Sequence, residues 1–153
     1  MHEAVNRLNR FLCEKMSASR FVTMFVFILN SEGCGKYISA GHNPSYIFRA
    51  ATGQIDELPS NNMIVGAFQF ATYEAGTVKL EPGDILLAYS DGLTEAENPQ
   101  GEMLGEEGVK NVIIAEGPSG AKHLEQKLLE TIQNFTAGRS LTDDITLIIT
   151  ERV

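Results

Sequence analysis

Tryptophan is absent from the 153-residue chain, and cysteine occurs only twice, as Cys13 and Cys34. The two thiols form no C-x-x-C pair and have no second histidine at ligand spacing, which speaks against zinc. Both sit among apolar neighbours and read as small buried hydrophobes of a reducing compartment, with a bridge between them as the alternative. Positive charge is scarce too: 12 Lys and Arg face 20 Asp and Glu, a formal charge of −8. No nucleic acid is expected as a partner, because a phosphate-binding surface needs clustered cations. Arg7 and Arg10, the nearest approach to such a cluster, lie on an otherwise mixed segment. The acid excess suits a divalent cation or a basic peptide instead. Long apolar runs are also missing. The longest, Phe21 to Leu29, is far short of the roughly 20 residues that cross a bilayer. His2, Glu3, Arg7 and Arg10 interrupt the N-terminus before any signal-peptide core, so a cytoplasmic chain without a membrane segment is expected. There is no P-loop, no G-x-G-x-x-G and no G-x-S-x-G elbow.

What is present is the balance of a folded domain: 43% hydrophobic and 21% charged residues exclude disorder. One core, and one domain over residues 1–153, is the expectation. Residues 3–16 predict a helix, with Val5, Leu8, Leu12 and Met16 on one face. Ser17 to Arg20 is a polar break. The FVTMFVFILN segment is apolar on both faces of a period-two ladder, which predicts a strand buried on both sides. The Ser31–Gly35 turn and a return strand from Lys36 to Ala40 predict a hairpin. Further strands are expected at Ser45–Ala51, Gln54–Leu58, Tyr73–Leu80 and Ile85–Tyr89, the last apolar throughout and bounded by acids. Residues 91–104 read as a surface loop with a helical turn. Two helices follow, over 106–115 and 119–135. The second carries the stripe Ala121, Leu124, Leu128, Ile132 and Phe135, with Ser119 as its N-cap. A final strand runs from Ile145 to Glu151. This order is α+β and lacks the alternation of a doubly wound parallel sheet.

Three stretches break local rules. In Tyr89-Ser90-Asp91-Gly92-Leu93-Thr94-Glu95, an acid directly after a buried strand is either the cap of a plain turn or a carboxylate at the sheet's rim, open to a hard cation. Gly92 permits backbone conformations closed to other residues. In Thr142-Asp143-Asp144-Ile145-Thr146, adjacent acids open the last strand. Strand alternation lets only one of them look the same way as Asp91, the other facing solvent or capping an amide. Together the two stretches read as half of an oxygen-ligand site for Mg²⁺ or Mn²⁺. In Ala40-Gly41-His42-Asn43-Pro44, the lone His42 reads as a hydrogen-bonded loop residue or, alternatively, a ligand or base. His2 and His123 are expected on helix surfaces without a role.

FVTMFVFILN, AGHNPSYIFR, LEPGDILLAYSDGLTEAENPQGEMLG and LTDDITLIITER, in this order and spacing, resemble the SpoIIE/RsbU-type branch of the metal-dependent (PPM, protein phosphatase 2C-like) protein phosphatases. The similarity runs from about Leu8 to the C-terminus. It implies an α-β-β-α sandwich of two antiparallel sheets flanked by helices, and hydrolysis of phosphoserine or phosphothreonine on a partner protein of the anti-sigma-factor antagonist type in bacterial stress and sporulation switches. It implies two Mn²⁺ or Mg²⁺ ions sharing a water that attacks phosphorus directly, with no catalytic residue beyond the metal ligands. Carried onto this sequence, Asp91 and Asp143 would bind one ion, Gly92 would keep the turn beside it, and Asp144 would be structural. The family's G-D-[YF]-x-D-like and D-x-x-G-H-G-like motifs precede the FVT strand and are not in this sequence. The expectation is thus an N-terminally truncated domain with half its ligands, inactive as an isolated fragment. A non-catalytic relative that binds a regulatory partner is the alternative. Missing strands would leave edges and Phe21, Phe25 and Phe27 uncovered, so a homo-oligomer is expected. Substrate choice is expected to rest on surface loops, chiefly 94–105.

Overall fold

The computed structural model describes residues 1–17 and 20–153, so part of the polar break expected at 17–20 lies outside the described residues. The chain divides into two compact units, Met1–Pro44 with Leu58–Lys79, and Ser45–Glu57 with Leu80–Val153. Each unit has its own antiparallel sheet, with one helix in the first unit and two α-helices in the second.

The first unit holds α1 (His2–Lys15), β1 (Met24–Leu29), β2 (Cys34–Ala40) and β5 (Gly76–Lys79), with sheet order β1-β2-β5. β1 and β2 form the expected hairpin, pairing from Leu29↔Gly35 to Met24↔Ala40. Asn30 builds the turn, its Oδ1 accepting from the amides of Glu32 and Cys34 at 3.0 and 2.9 Å. The predicted stripe of α1 buries Val5 and packs Leu8 and Leu12 around Ile38, Ala40, Val65 and Tyr73, while Met16 falls beyond the helix end. Asn9, absent from any apolar stripe, is fully buried on the same face. Its amide donates to the Phe68 carbonyl, and its Oδ1 accepts from the Gly66 amide and the Tyr73 hydroxyl. One polar side chain thereby satisfies the backbone of a loop that carries few bonds of its own.

Two expectations fail in this unit. β1 is not buried on both faces: it is an outer strand of its sheet, with Phe25 and Phe27 half-buried and Phe21 and Ile28 exposed by 56% and 60%. An all-apolar run fits an edge as well as a centre, so composition alone does not decide the position. The thiols are not both buried either. Cys34 is exposed, Cys13 is half-buried, and both are free.

The second unit holds β3 (Ser45–Arg49), β4 (Gln54–Leu58), β6 (Ile85–Tyr89), α2 (Gly105–Glu116), α3 (Ala121–Phe135) and β7 (Leu147–Glu151), with sheet order β4-β3-β6-β7. All five residues of β6 are buried. One face of the sheet sends Tyr46, Phe48, Ile85, Leu87 and Tyr89 against Val109 and Ile113 of α2 and Leu124, Leu128 and Ile132 of α3. The α3 stripe is as predicted, with Phe135 half-buried at its end. The Ser119 cap is not made. The helix starts one turn-residue later, after Gly120, and the Ala121 amide donates 2.8 Å to Glu151 Oε2 of β7. A carboxylate there also complements the positive end of the helix dipole.

Asp84, 2% exposed, locks the turn before β6. It accepts from the amides of Glu81 and Ala50 at 2.9 and 3.0 Å and from Arg49 Nη1 at 2.6 Å. Burial works to raise its pKa, but the Glu81 amide, the guanidinium and the Ala50 amide outweigh it and hold the carboxyl below its ordinary range. Because the folded pKa is depressed, the stability it contributes is complete above about pH 5. It is lost as pH falls through the ordinary aspartate value of about 3.9 toward the lowered one. Urea midpoints measured from about pH 6 down to 3 should therefore fall less steeply for Asp84→Asn than for the wild type; parallel slopes would contradict this role.

Candidate functional site

The edge of interest is where β6 ends and β7 begins. The two strands are antiparallel neighbours with Tyr89 opposite Leu147, so residues just after Tyr89 and just before Leu147 leave the sheet at the same end. Ser90 continues the pairing past the strands. Its amide donates to the Thr146 carbonyl at 3.0 Å, its hydroxyl donates to the Asp144 carbonyl at 3.0 Å, and the Thr146 amide donates to that hydroxyl at 2.8 Å. The chain then folds into a 3-10 turn over Asp91–Leu93, with the Thr94 and Glu95 amides both donating to the Asp91 carbonyl at 2.9 Å. Leu93 plugs into the core of this unit at 0% exposure and anchors the turn.

Gly92 is required by space. A Cβ on it would lie 2.7 Å from the Asp144 carbonyl oxygen and 3.3 Å from that of Asp143. The backbone after β6 and the backbone before β7 therefore touch, and both aspartates project from touching segments. Asp91, Asp143 and Asp144 all have exposed side chains. Asp91 Oδ1 accepts from the Gly92 amide at 3.1 Å and Asp143 Oδ1 from the Asp144 amide at 2.7 Å, which fixes the orientation of each carboxylate to its own backbone.

The acids do not open the last strand. β7 starts at Leu147 and residues 142–146 are irregular, so strand alternation does not sort Asp143 from Asp144. What distinguishes Asp144 is its main chain, whose carbonyl takes the Ser90 hydroxyl and faces Gly92. Ser90 is the residue that sequence reasoning passed over, although it stands in the same Ser-Asp-Gly triplet; a small hydroxyl directly after a buried strand was the available signal. The other candidates lie elsewhere. His42 Nδ1 is 3.1 Å from the Asn43 carbonyl in its own loop, and His123 pairs with Glu116 at 2.8 Å. Asp56 is held by Arg49 Nε at 2.7 Å on β4.

As a donor set the edge offers carboxylate oxygen and neither nitrogen nor sulfur, the chemistry that suits Mg²⁺ or Mn²⁺. In number it falls short: among the described residues, no three His, Cys, Asp or Glu side chains gather closely enough to hold a metal ion by themselves.

A family model described as Stage II sporulation protein E (SpoIIE) matches residues 1–153. The chain belongs to the SpoIIE family. Among curated proteins it is 30% identical to Protein IcfG of Synechocystis sp. over 97% of this chain and 24% of that one. It is 28% identical to phosphoserine phosphatase RsbU of Bacillus subtilis over 98% of this chain and 44% of RsbU. The chain thus spans less than half the length of the curated relatives it matches. Among solved structures, the PP2C phosphatase domain of Bacillus subtilis SpoIIE with a fragment of its regulatory domain superposes with a TM-score of 0.78 at 21% identity, covering 97% of this chain and 43% of that one. The RsbU and RsbW domains of Rv1364c from Mycobacterium tuberculosis give 0.76 at 21%, over 99% and 41%. The SiaA-PP2C domain of Pseudomonas aeruginosa gives 0.78 at 16%, over 98% and 60%. At these identities the structures speak to fold: this SpoIIE-family chain has the PP2C-type arrangement of antiparallel sheets with flanking helices. PP2C-type phosphatases are metal-dependent as a family.

The contact at Gly92 makes the edge sensitive to one methyl group. Gly92→Ala should lower stability by roughly 1–3 kcal/mol, the usual cost of overpacking where backbone must shift. Urea unfolding reads this directly, and a change within a few tenths of a kcal/mol would mean the two segments do not touch.

Proposed function

We propose that this chain is a metal-dependent protein-serine/threonine phosphatase domain, acting on phosphoserine or phosphothreonine of a regulatory partner of the anti-sigma-factor antagonist type. The observation that carries the reading is the contact of the Asp91 turn with the Asp143–Asp144 segment, in a chain whose whole length matches the SpoIIE family. Asp91 and Asp143 would hold one Mn²⁺ or Mg²⁺ ion between them. Such an ion lowers the pKa of water and neutralises phosphate charge. The chain's own residues do the positioning: Ser90 ties the two segments, Gly92 lets them approach, and the Asp144 main chain completes the seam. The cytoplasm is the proposed compartment, in keeping with two free thiols. Among the described residues no helix is long and apolar enough to cross a membrane. A homo-oligomer is proposed from the open outer edge of β1, flanked by exposed Phe21 and Ile28.

One observation favours a second reading, a non-catalytic relative that binds a regulatory partner: fewer than three acids converge among the described residues. Calorimetric titration with Mn²⁺, with p-nitrophenyl phosphate hydrolysis and sedimentation followed in the same samples, separates the two. The phosphatase reading expects binding lost in Asp91→Ala, with turnover where a second copy completes the ligand set, on a protein that sediments as a dimer or larger at tens of micromolar. Absence of binding up to millimolar Mn²⁺, with no turnover, would leave the partner-binding reading.

A further inference from the structure

A cleft of about 410 Å³ lies between the end of α3 and the loop that returns to β7. Its apolar lining is Leu129, Ile132, Leu141 and Ile145, to which Gln133, Thr136 and Arg139 add polar groups. The last two apolar wall residues bracket Asp143 and Asp144 in the chain, so the cleft and the acids share one loop. The loop is turned back over α3 by two left-handed residues, Ala137 at φ 49° and Gly138 at φ 76°, and by the Arg139 amide donating to the Thr136 carbonyl at 3.0 Å. A left-handed alanine is uncommon. The turn leaves Leu129 and Leu141 exposed by 51% and 43% where they could have been covered, while Ile132 forms a floor at 6%. Arg139 makes no ion pair recorded among the described residues, on a chain whose formal charge is −8.

We propose that this cleft is a substrate subsite that takes an aliphatic side chain flanking the phosphoserine of the partner protein, with Arg139 drawing the phosphate to the acid edge. The proposal rests on the phosphatase reading above and names what that site selects. Chemistry and position agree on the occupant. The cleft has room for side chains of a bound peptide, and half of its lining residues are aliphatic. The guanidinium is the complement of a phosphate dianion approaching a surface that is otherwise acidic. Leu141 stands two residues before Asp143 and Ile145 directly after Asp144, so a peptide whose phosphate is held at Asp143 would meet the same loop. Residues 94–105, also expected to take part in substrate choice, form a loop closed by the Glu97–Met103 bridge and the Asn98 side chain, whose Oδ1 accepts from the Gln100 and Glu102 amides.

The test is fluorescence anisotropy with short labelled peptides in the presence of Mn²⁺: phosphoserine flanked by leucine, phosphoserine flanked by glycine, and the unphosphorylated leucine peptide. The wild-type chain should bind the leucine phosphopeptide about tenfold more tightly than the glycine one, the discrimination an apolar pocket supplies. Leu129→Glu on the exposed face of α3 and, independently, Leu141→Ser should bring that ratio to about one. Arg139→Gln should narrow the gap between phosphorylated and unphosphorylated leucine peptides. Equal affinity for the two phosphopeptides, no binding of the leucine phosphopeptide up to millimolar protein, or a preference surviving both leucine substitutions would overturn the proposal. Mn²⁺ calorimetry and p-nitrophenyl phosphate turnover require no flanking side chain, so failure of the phosphatase reading registers separately from failure of the subsite.

Discussion

The Ser90 hydroxyl accepts from the Thr146 amide and donates to the Asp144 carbonyl, and through these two bonds the exit of β6 is tied to the entrance of β7. Everything proposed for the acid edge depends on that tie. Without it the 142–146 segment, which has no ladder of its own, would be held beside the exit of β6 only by the Ser90 amide on the Thr146 carbonyl and by the packing of Ile145. With it, Asp91 and Asp143 leave the sheet from segments whose backbones are in van der Waals contact at Gly92. A side chain small enough to act as both donor and acceptor is needed at 90, and any side chain at 92 would press on the Asp144 carbonyl. The triplet Ser-Asp-Gly is thus a construction rule: bridge, ligand, clearance.

The tie is anchored in a buried strand, β6. All five of its residues are buried, Asp84 locks the turn that leads into it, and Leu93 pins the turn that leads out. The strand is therefore clamped at both ends as well as along its length, and the exposed acid is presented from the most constrained backbone of its unit. This is the usual division of labour, in which a rigid buried element carries an exposed functional side chain at its terminus. β7 adds a second restraint through Glu151, whose carboxylate caps α3. The helix that forms one wall of the apolar cleft and the strand that follows the acids are thereby coupled at the far end as well.

How much of this could be read in the sequence follows from which forces are local. The α3 stripe and the buried β6 were legible because burial imposes a period on neighbouring residues. The meeting of the Asp91 and Asp143 stretches at one sheet end was legible, and the resemblance carried by those motifs led to the family that the full-length match establishes. What stayed hidden was long-range. Glu151 replacing Ser119 as the cap, Asn9 serving the 66–73 loop, and Ser90 bridging two strand ends each join residues far apart in the chain. Composition also misplaced β1, since an apolar run does not reveal whether its second face will be covered. The assumption that the acids sit on a strand failed for a related reason: aspartate side chains favour bonds to neighbouring amides over a ladder, and Asp143 accepts one from the Asp144 amide.

The central claim is that Asp91 and Asp143, brought together by Ser90 and Gly92, hold one and the same ion. Paramagnetic broadening tests it most directly, with substoichiometric Mn²⁺ added to isotopically labelled protein and backbone amide resonances followed one by one. Amides of residues 91–94 and 143–145 should broaden first and together, and Asp143→Asn should abolish the effect at both segments. Broadening of one segment alone, or of neither before the rest of the acidic surface, would contradict it.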